Sequence, residues 1–362
     1  MRRLWPRFAI LVLGFFALYA LTAQRGGAWG DSAEFQDWVL SRSELVCGPH
    51  FSNAHPFYVG FCRAVADSPF AVTLVSALFG ALSVGGLFLC TRRAALSALF
   101  GLSQMLWWLS TLAEVQTMSL AMTAFETWCL VRGAKSSLSA RGTAWLCACA
   151  LLSGLHLSVH NFALLSLPVY AFVLAVVARR SGSRAAVAAV CPVACWLLGA
   201  SYWLVNLFSR GPADMLYGSY GAQVAGVPPA SWTATAFNFG LAAVSFFVPA
   251  VIAWWERATL AKSASGLAGK ALVALFAVNF LFFVRYFVPD QSQFLLPSLF
   301  YAYVLLRGAW TSRTRLVALA ALQLLLPVFA YLVARELPQP ADRRDRHPGR
   351  DDARYFILPW KV

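Results

Sequence analysis

Apolar runs long enough to cross a bilayer recur down this 362-residue chain, and they constrain its fold more than any single motif. A helix needs about 20 mostly apolar residues to traverse the hydrocarbon layer. On that criterion we expect spans near 8–23, 69–90, 94–112, 115–131, 143–158, 162–178, 185–207, 233–255, 271–288, 293–306 and 316–334, about eleven in all, with a re-entrant segment as the alternative within 94–131 or 143–178. Composition agrees: the chain is 60% apolar and 12% charged, with a mean hydropathy of +0.65, outside the range of soluble domains. The expected fold class is therefore an all-α polytopic membrane protein. One transmembrane domain covers 1–334, and a polar tail covers 335–362.

Charge gives an independent check on this layout. With a cytoplasmic N-terminus, 17 of the 29 basic residues fall on inner segments, among them Arg92, Arg93, Arg132, Lys135 and Arg307. The outer loops before the tail hold Arg25, Arg42, Arg63 and Arg210. That asymmetry follows the positive-inside rule, so the net charge of +14 reflects topology. Nucleic acid is not an expected partner, because the cations are spread over many short loops. Acids run the other way: Asp31, Glu34, Asp37, Glu44, Asp67, Glu114, Asp214 and Asp290 fall outside and only Glu256 inside. Carboxylates have little influence on topology, so their bias points to an outward-facing polar site. The N-terminal Arg2-Arg3 and apolar run resemble a signal peptide without a small-x-small cleavage site, and we read it as a retained signal-anchor.

Two outer segments are long, 24–68 and 208–232. The first carries an expected interfacial helix, since Phe35, Trp38, Val39, Leu45 and Val46 share one side of a 3.6-residue period. Cys47 and Cys62 lie in this loop and could bridge in an oxidising compartment. The second segment, rich in Gly, Pro and Tyr, reads as a loop over the outer surface.

Chemistry-bearing residues gather on these outer segments. Asp31 and Glu34 have the spacing of a capping box, Asp as N-cap and Glu three residues on. They equally suit a general base that takes a proton from an acceptor hydroxyl. His55 shares their loop, within Asn53-Ala54-His55-Pro56, and is a second polar candidate. Glu114 stands at an outer helix junction, where an acid can snorkel to water or serve a site. His156 and His160, four apart and so expected on one helix face near the outer end of their span, are read as hydrogen-bonding into a polar cavity in preference to binding metal, since no third ligand is evident. Arg285-Tyr286 and Asp290 form the last outer cluster. Arg285 either pairs with Asp290 or clamps a lipid phosphate. Glu126, the other acid within a span, is expected to reach toward Arg132. No cofactor is implied, and a divalent cation is left open.

Several of these motifs occur in a recognisable order. Asp31-Ser32-Ala33-Glu34, Ala54-His55-Pro56, Ser76 to Leu82, Ala113-Glu114-Val115, Gly154 to His160, and Val288-Pro289-Asp290 followed by Phe294 to Ser298 together resemble the protein O-mannosyltransferase-like membrane family, within the GT-C glycosyltransferases. The chain departs from that pattern at Ala33, Phe57 and Val159. The resemblance implies a GT-C-like fold and transfer of mannose or a similar hexose from a polyprenyl-phosphate-linked donor to a protein or glycan hydroxyl. In that reading Asp31 is the base, assisted by Glu34. His55, Glu114, His160, Arg210, Arg285, Tyr286 and Asp290 surround the substrates. The implied setting is a bacterial inner membrane, with the N-terminus cytoplasmic and the site outward. A flippase or transporter for lipid-linked sugars is the rival from another class, though no internal repeat or midplane polar break supports it. A non-catalytic homologue is the third reading.

Overall fold

The computed structural model describes residues 4–27, 31–42, 55–136, 139–217, 232–286, 291–309 and 312–336, and the regular structure among them is helical. In chain order the α-helices are α1 (Leu4–Leu21), α2 (Asp31–Ser41), α3 (Pro56–Val65), α4 (Pro69–Thr91), α5 (Ala94–Gly101), α6 (Gln104–Leu109), α7 (Val115–Lys135), α8 (Ala140–His156), α9 (Ala163–Arg180), α10 (Ala185–Arg210), α11 (Trp232–Trp255), α12 (Arg257–Ala264), α13 (Gly266–Arg285), α14 (Leu296–Leu305) and α15 (Arg313–Glu336). Six helices, α1, α4, α9, α10, α11 and α13, are long and apolar enough to cross a membrane. Central to the bundle is α7, which is buried along most of its length between α4 and α8.

Helix direction follows from cross-contacts. Ser76 lies beside Glu114, and a side chain at Gly86 would strike Ala124, so α4 and α7 run parallel. Residues 94–112 must therefore carry the chain back along the bundle between them. They do so as two short helices broken at Leu102–Ser103, where the apolar pattern predicts one uninterrupted span. The break is tolerated because its backbone acceptors find donors: Ser103 Oγ donates to Phe100 O at 2.6 Å, and Tyr19 of α1 donates to Gly101 O at 2.7 Å. Gly101 is required there, since the ring of Phe15 occupies the space of a Cβ.

A second close approach joins α8 to α10. A Cβ on Gly154 would meet the Ala200 backbone N at 2.6 Å, and one on Gly199 would meet the Leu155 N at 2.9 Å. Small residues at such crossings let two backbones pack directly, which is how helices gain dispersion energy in lipid.

Segments expected on one side of the membrane do collect at one end of the bundle. The 111–114 and 156–163 turns and the α10 terminus lie at the site end, whereas Arg92, Arg93, Arg132, Lys135 and Arg307 lie at the far end. Over the site end sit α2 and α3. The expected interfacial helix is α2, and it turns Phe35 and Val39 inward onto Tyr58, Val59 and Val72. Its apolar face therefore packs on protein. Leu45, Val46, Cys47 and most of the tail lie outside the described residues. Cys62 is buried beside Tyr58.

Candidate active site

The site is organised by the turn that follows α8. That helix ends at His156, and residues 157–161 form a compact turn before α9. This corrects the sequence expectation that His156 and His160 share one helix face. The turn is tied in several directions. Ser158 O accepts from the Phe57 N–H at 3.0 Å, and Val159 O faces His55 Nδ1 at 2.9 Å, both from the first loop. Asn161 Nδ2 donates to Met215 O at 2.7 Å and its Oδ1 accepts from Trp203 Nε1 at 3.0 Å, which brings in the α10 side.

His55 sits in a left-handed backbone conformation, φ 44° and ψ 53°, ahead of Pro56 at the start of α3. A residue other than glycine pays about 1 kcal/mol or more there, and a following proline disfavours helical backbone before it. The conformation holds because Nδ1–H donates to Val159 O, leaving Nε2 as the acceptor. Its ring stacks on that of His160, with centroids 4.8 Å apart and 27° between planes. In His160, Nδ1 lies 3.1 Å from the Phe162 backbone N–H, and Nε2 lies 3.1 Å from the Gln116 side-chain amide nitrogen. Burial lowers the His55 pKa to about 4, partly opposed by its Val159 hydrogen bond. Burial likewise lowers His160, and the charges of His55 and His156 add to the effect. Both rings are thus neutral near pH 7 and offer hydrogen bonds without a charge.

Glu114 enters from the start of α7. Its backbone N–H donates to Ser76 Oγ at 2.9 Å, and Ser76 donates back to Glu114 O at 3.0 Å. One carboxylate oxygen accepts from Ser32 of α2 at 2.9 Å. A partner of Glu114 in the first loop is thus Ser32, on the buried face of α2.

Asp31 and Glu34 occupy the first turn of α2 and are exposed. The helix begins at Asp31, so both carboxylates stand within its first turn and Asp31 does not precede it as a cap would. The positive end of the α2 dipole still favours both carboxylates, by about 0.3–1 kcal/mol each. The Glu34 carboxyl is raised above its ordinary value, first by burial and then by the Asp31 charge. Asp31 stands one turn before Phe35, whose ring contacts those of His55 and Tyr58 at 5.7 and 5.3 Å. Phe35 thus links the helix that carries the acidic pair to His55.

The remaining candidates are placed less uniformly. Arg210 is exposed; its Nε donates to Asn206 Oδ1 at 3.2 Å, and it lies 3.7 Å from Asp214, the neighbour of Met215. Arg285, the last residue of α13, is exposed, while Tyr286 is buried. Tyr286 stacks on Phe282 and meets Phe294 edge-on, each at 4.8 Å. Phe294 touches Phe162, which packs on His160 at 4.1 Å. Tyr286 thus reaches the site through a chain of rings. Asp290 lies outside the described residues. A small cleft opens among His55, His160, Asn161, Tyr202, Trp203 and Met215.

One network departs from the sequence expectation altogether. Glu126 does not reach toward Arg132. It accepts from His156 Nδ1 at 2.7 Å and from Tyr170 OH at 2.8 Å, and His156 Nε2 meets Ser119 Oγ at 2.7 Å. This buried clasp fixes the end of α8 from which the 157–161 turn departs. Its signal was present in the spacing: Gln116, Ser119, Thr123 and Glu126 make a polar stripe at helical period on one face of α7.

Comparison with known proteins gives two results. Residues 93–183 match the model of the protein O-mannosyl-transferase TMEM260 N-terminal domain. Across the chain, the fold is similar to that of ArnT from Cupriavidus metallidurans, in its undecaprenyl-phosphate-bound and apo crystal structures, with a TM-score of 0.63 and 15% identity in each. The similarity covers 92% of this chain and 66% and 65% of the two ArnT chains, so this chain spans just under two thirds of ArnT's length. No curated protein matches in sequence. The two matches agree with the resemblance drawn from the ordered motifs: the chain is a polytopic membrane protein with an ArnT-like fold, and its 93–183 segment is similar to the protein O-mannosyl-transferase TMEM260 N-terminal domain.

Proposed function

We propose that the protein is a membrane glycosyltransferase that moves mannose or a similar hexose from a polyprenyl-phosphate donor to a protein or glycan hydroxyl at its outer face. The observation that carries this reading is the pair of exposed carboxylates opening α2, a helix whose Phe35 packs against His55 of a neutral histidine pair, in an ArnT-like fold. One ArnT structure holds undecaprenyl phosphate, and a lipid-carried donor suits a site at the membrane boundary.

In the proposed reaction the acceptor oxygen bonds to the anomeric carbon as the bond from that carbon to the phosphate oxygen breaks. The hydroxyl proton passes to Asp31, and polyprenyl phosphate departs with the bonding pair. Direct displacement inverts the anomeric centre. Asp31 takes the role of base because it is exposed at the rim, where an acceptor can reach it. Glu34, with its carboxyl raised, orients the acceptor. His55 and His160, being neutral, hydrogen-bond sugar hydroxyls, with Glu114 and Gln116 behind them. Arg210 or Arg285 meets the phosphate charge, a task that suits a guanidinium.

Asp31→Asn keeps a polar helix start and removes the base. Loss of a general base lowers turnover by about 10²–10⁴-fold, measured as sugar transfer from a synthetic polyprenyl phosphate by the purified protein. A variant that turns over at the wild-type rate removes Asp31 from the role. Wild-type protein that carries the lipid-linked sugar between leaflets without transferring it establishes the flippase reading instead.

A further inference from the structure

Five cations converge at the far end of the bundle, away from the site. Arg92 and Arg93 come from the α4–α5 junction, Arg132 and Lys135 from the end of α7, and Arg307 from the turn after α14. Their proximity is direct. Arg93 Nε reaches the carbonyl of Arg307 at 3.5 Å, the Arg132 charge acts on Arg92, and both Arg132 and Arg307 act on Lys135. Among the described residues none of the five has a carboxylate partner. Arg307 donates through Nη2 to Ser263 O at 2.6 Å, but its buried Nη1 has no acceptor, and neither has the buried indole N–H of Trp128.

Keeping one end of the bundle in a given compartment requires basic residues in its loops, and nothing more. It does not require three separate segments to press their charges together, which costs energy through mutual repulsion. An anion between them would reverse that cost and fill the vacant donors.

Its level in the membrane identifies the class of anion. The Arg132 guanidinium lies 6.0 Å from the Trp128 ring and 5.9 Å from the Trp145 ring. Those two rings pack at 4.9 Å, and Trp5 of α1, largely exposed, meets Trp128 edge-on at 6.5 Å. Clustered tryptophans with one face bare mark the interface between hydrocarbon and headgroups. We infer that Arg92, Arg93, Arg132, Lys135 and Arg307 form a binding site for the phosphate of an anionic membrane lipid, at the end of the bundle opposite the active site. The inference does not depend on the proposed reaction.

The test uses the full chain in non-ionic detergent. Phosphatidylglycerol, phosphatidylcholine or inorganic phosphate is added, and binding is read by native mass spectrometry and thermal shift. Phosphatidylglycerol should bind and stabilise, whereas phosphatidylcholine and inorganic phosphate at equal concentration should not. Removing two cations, as Arg92→Gln with Arg132→Gln, should weaken phosphatidylglycerol about thirtyfold. Arg179→Gln with Arg180→Gln, at the same end but outside the cluster, should leave it unchanged. Equal binding of the two lipids, an equal effect of inorganic phosphate, or an equal loss in the control pair each overturns the inference. If the Arg92/Arg132 variant does not fold, salt on the wild type decides, because binding that persists unweakened up to about 0.5 M salt is not held by these charges.

Discussion

Glu126 is the residue whose removal should cost this fold most. It is 1% exposed and accepts hydrogen bonds from two buried donors, His156 Nδ1 and Tyr170 OH, at 2.7 and 2.8 Å. Glu126→Ala leaves both donors facing hydrocarbon. Breaking a buried pair by removing one partner costs about 3–5 kcal/mol in water-soluble proteins. In membranes a single interhelical hydrogen bond averages nearer 0.6 kcal/mol, because unfolded helices also find partners, so we take about 2–5 kcal/mol. For a chain of this size that corresponds to a melting temperature lower by roughly 3–8 °C. Glu126→Gln keeps the shape. Its amide oxygen can accept from His156, and the Tyr170 hydroxyl can rotate to accept from its N–H, so it should lose only about 1 kcal/mol. Thermal unfolding in detergent, followed by tryptophan fluorescence, separates the two. The reasoning fails if Glu126→Ala melts with the wild type, or if Gln proves as damaging as Ala.

Three further outcomes follow from the same geometry. Because the His55 pKa falls from about 6.5 unfolded to about 4 folded, the unfolded chain binds more protons between those values. Its contribution, roughly 2–3 kcal/mol after allowing for the ring's partial exposure, is complete above about pH 6.5 and lost as pH falls toward 4; His55→Asn should flatten the melting temperature across that window. Asn161→Ala strips the partner from Trp203 Nε1 and the donor from Met215 O, and should cost about 1–3 kcal/mol in melting while slowing transfer. Gly154→Val forces a side chain into the α10 backbone and should destabilise by at least about 3 kcal/mol, or fail to accumulate, whereas Gly60→Ala, which meets open space, should express normally.

Much of this architecture was legible in the chain. Apolar run length located the long helices, and the division of basic and acidic residues matched the two ends of the bundle. The 94–112 run misled because hydropathy does not register a break whose carbonyls are taken up by Ser103 and by Tyr19, eighty-two residues before Gly101. Residue type also marked Asp31, Glu34, His55, Glu114 and His160, since polar groups at a membrane boundary stand out. Their partners could not be read in the same way: Val159 O, Ser32 and Gln116 become neighbours only when α2, α7 and α8 meet. Glu126 was different, for its error was local. Residues 126 and 132 are six apart and so face away from each other on a helix, and the stripe through Ser119 and Thr123 already pointed Glu126 into the bundle.

The bond from Tyr19 to Gly101 also bears on how the protein is made. Helix α1 leaves the ribosome before its partners Gly80, Gly85 and Gly101, which are all encoded later. At about 5–20 residues per second of synthesis, roughly 4–16 s separate Tyr19 from the carbonyl it will cap. During that interval α1 can pair with α4 as it emerges, but its tyrosine hydroxyl must find another partner until Gly101 follows. Assembly of this end of the bundle therefore waits on translation, and slowing the ribosome between residues 20 and 101 would lengthen the time α1 is open to capture by quality control.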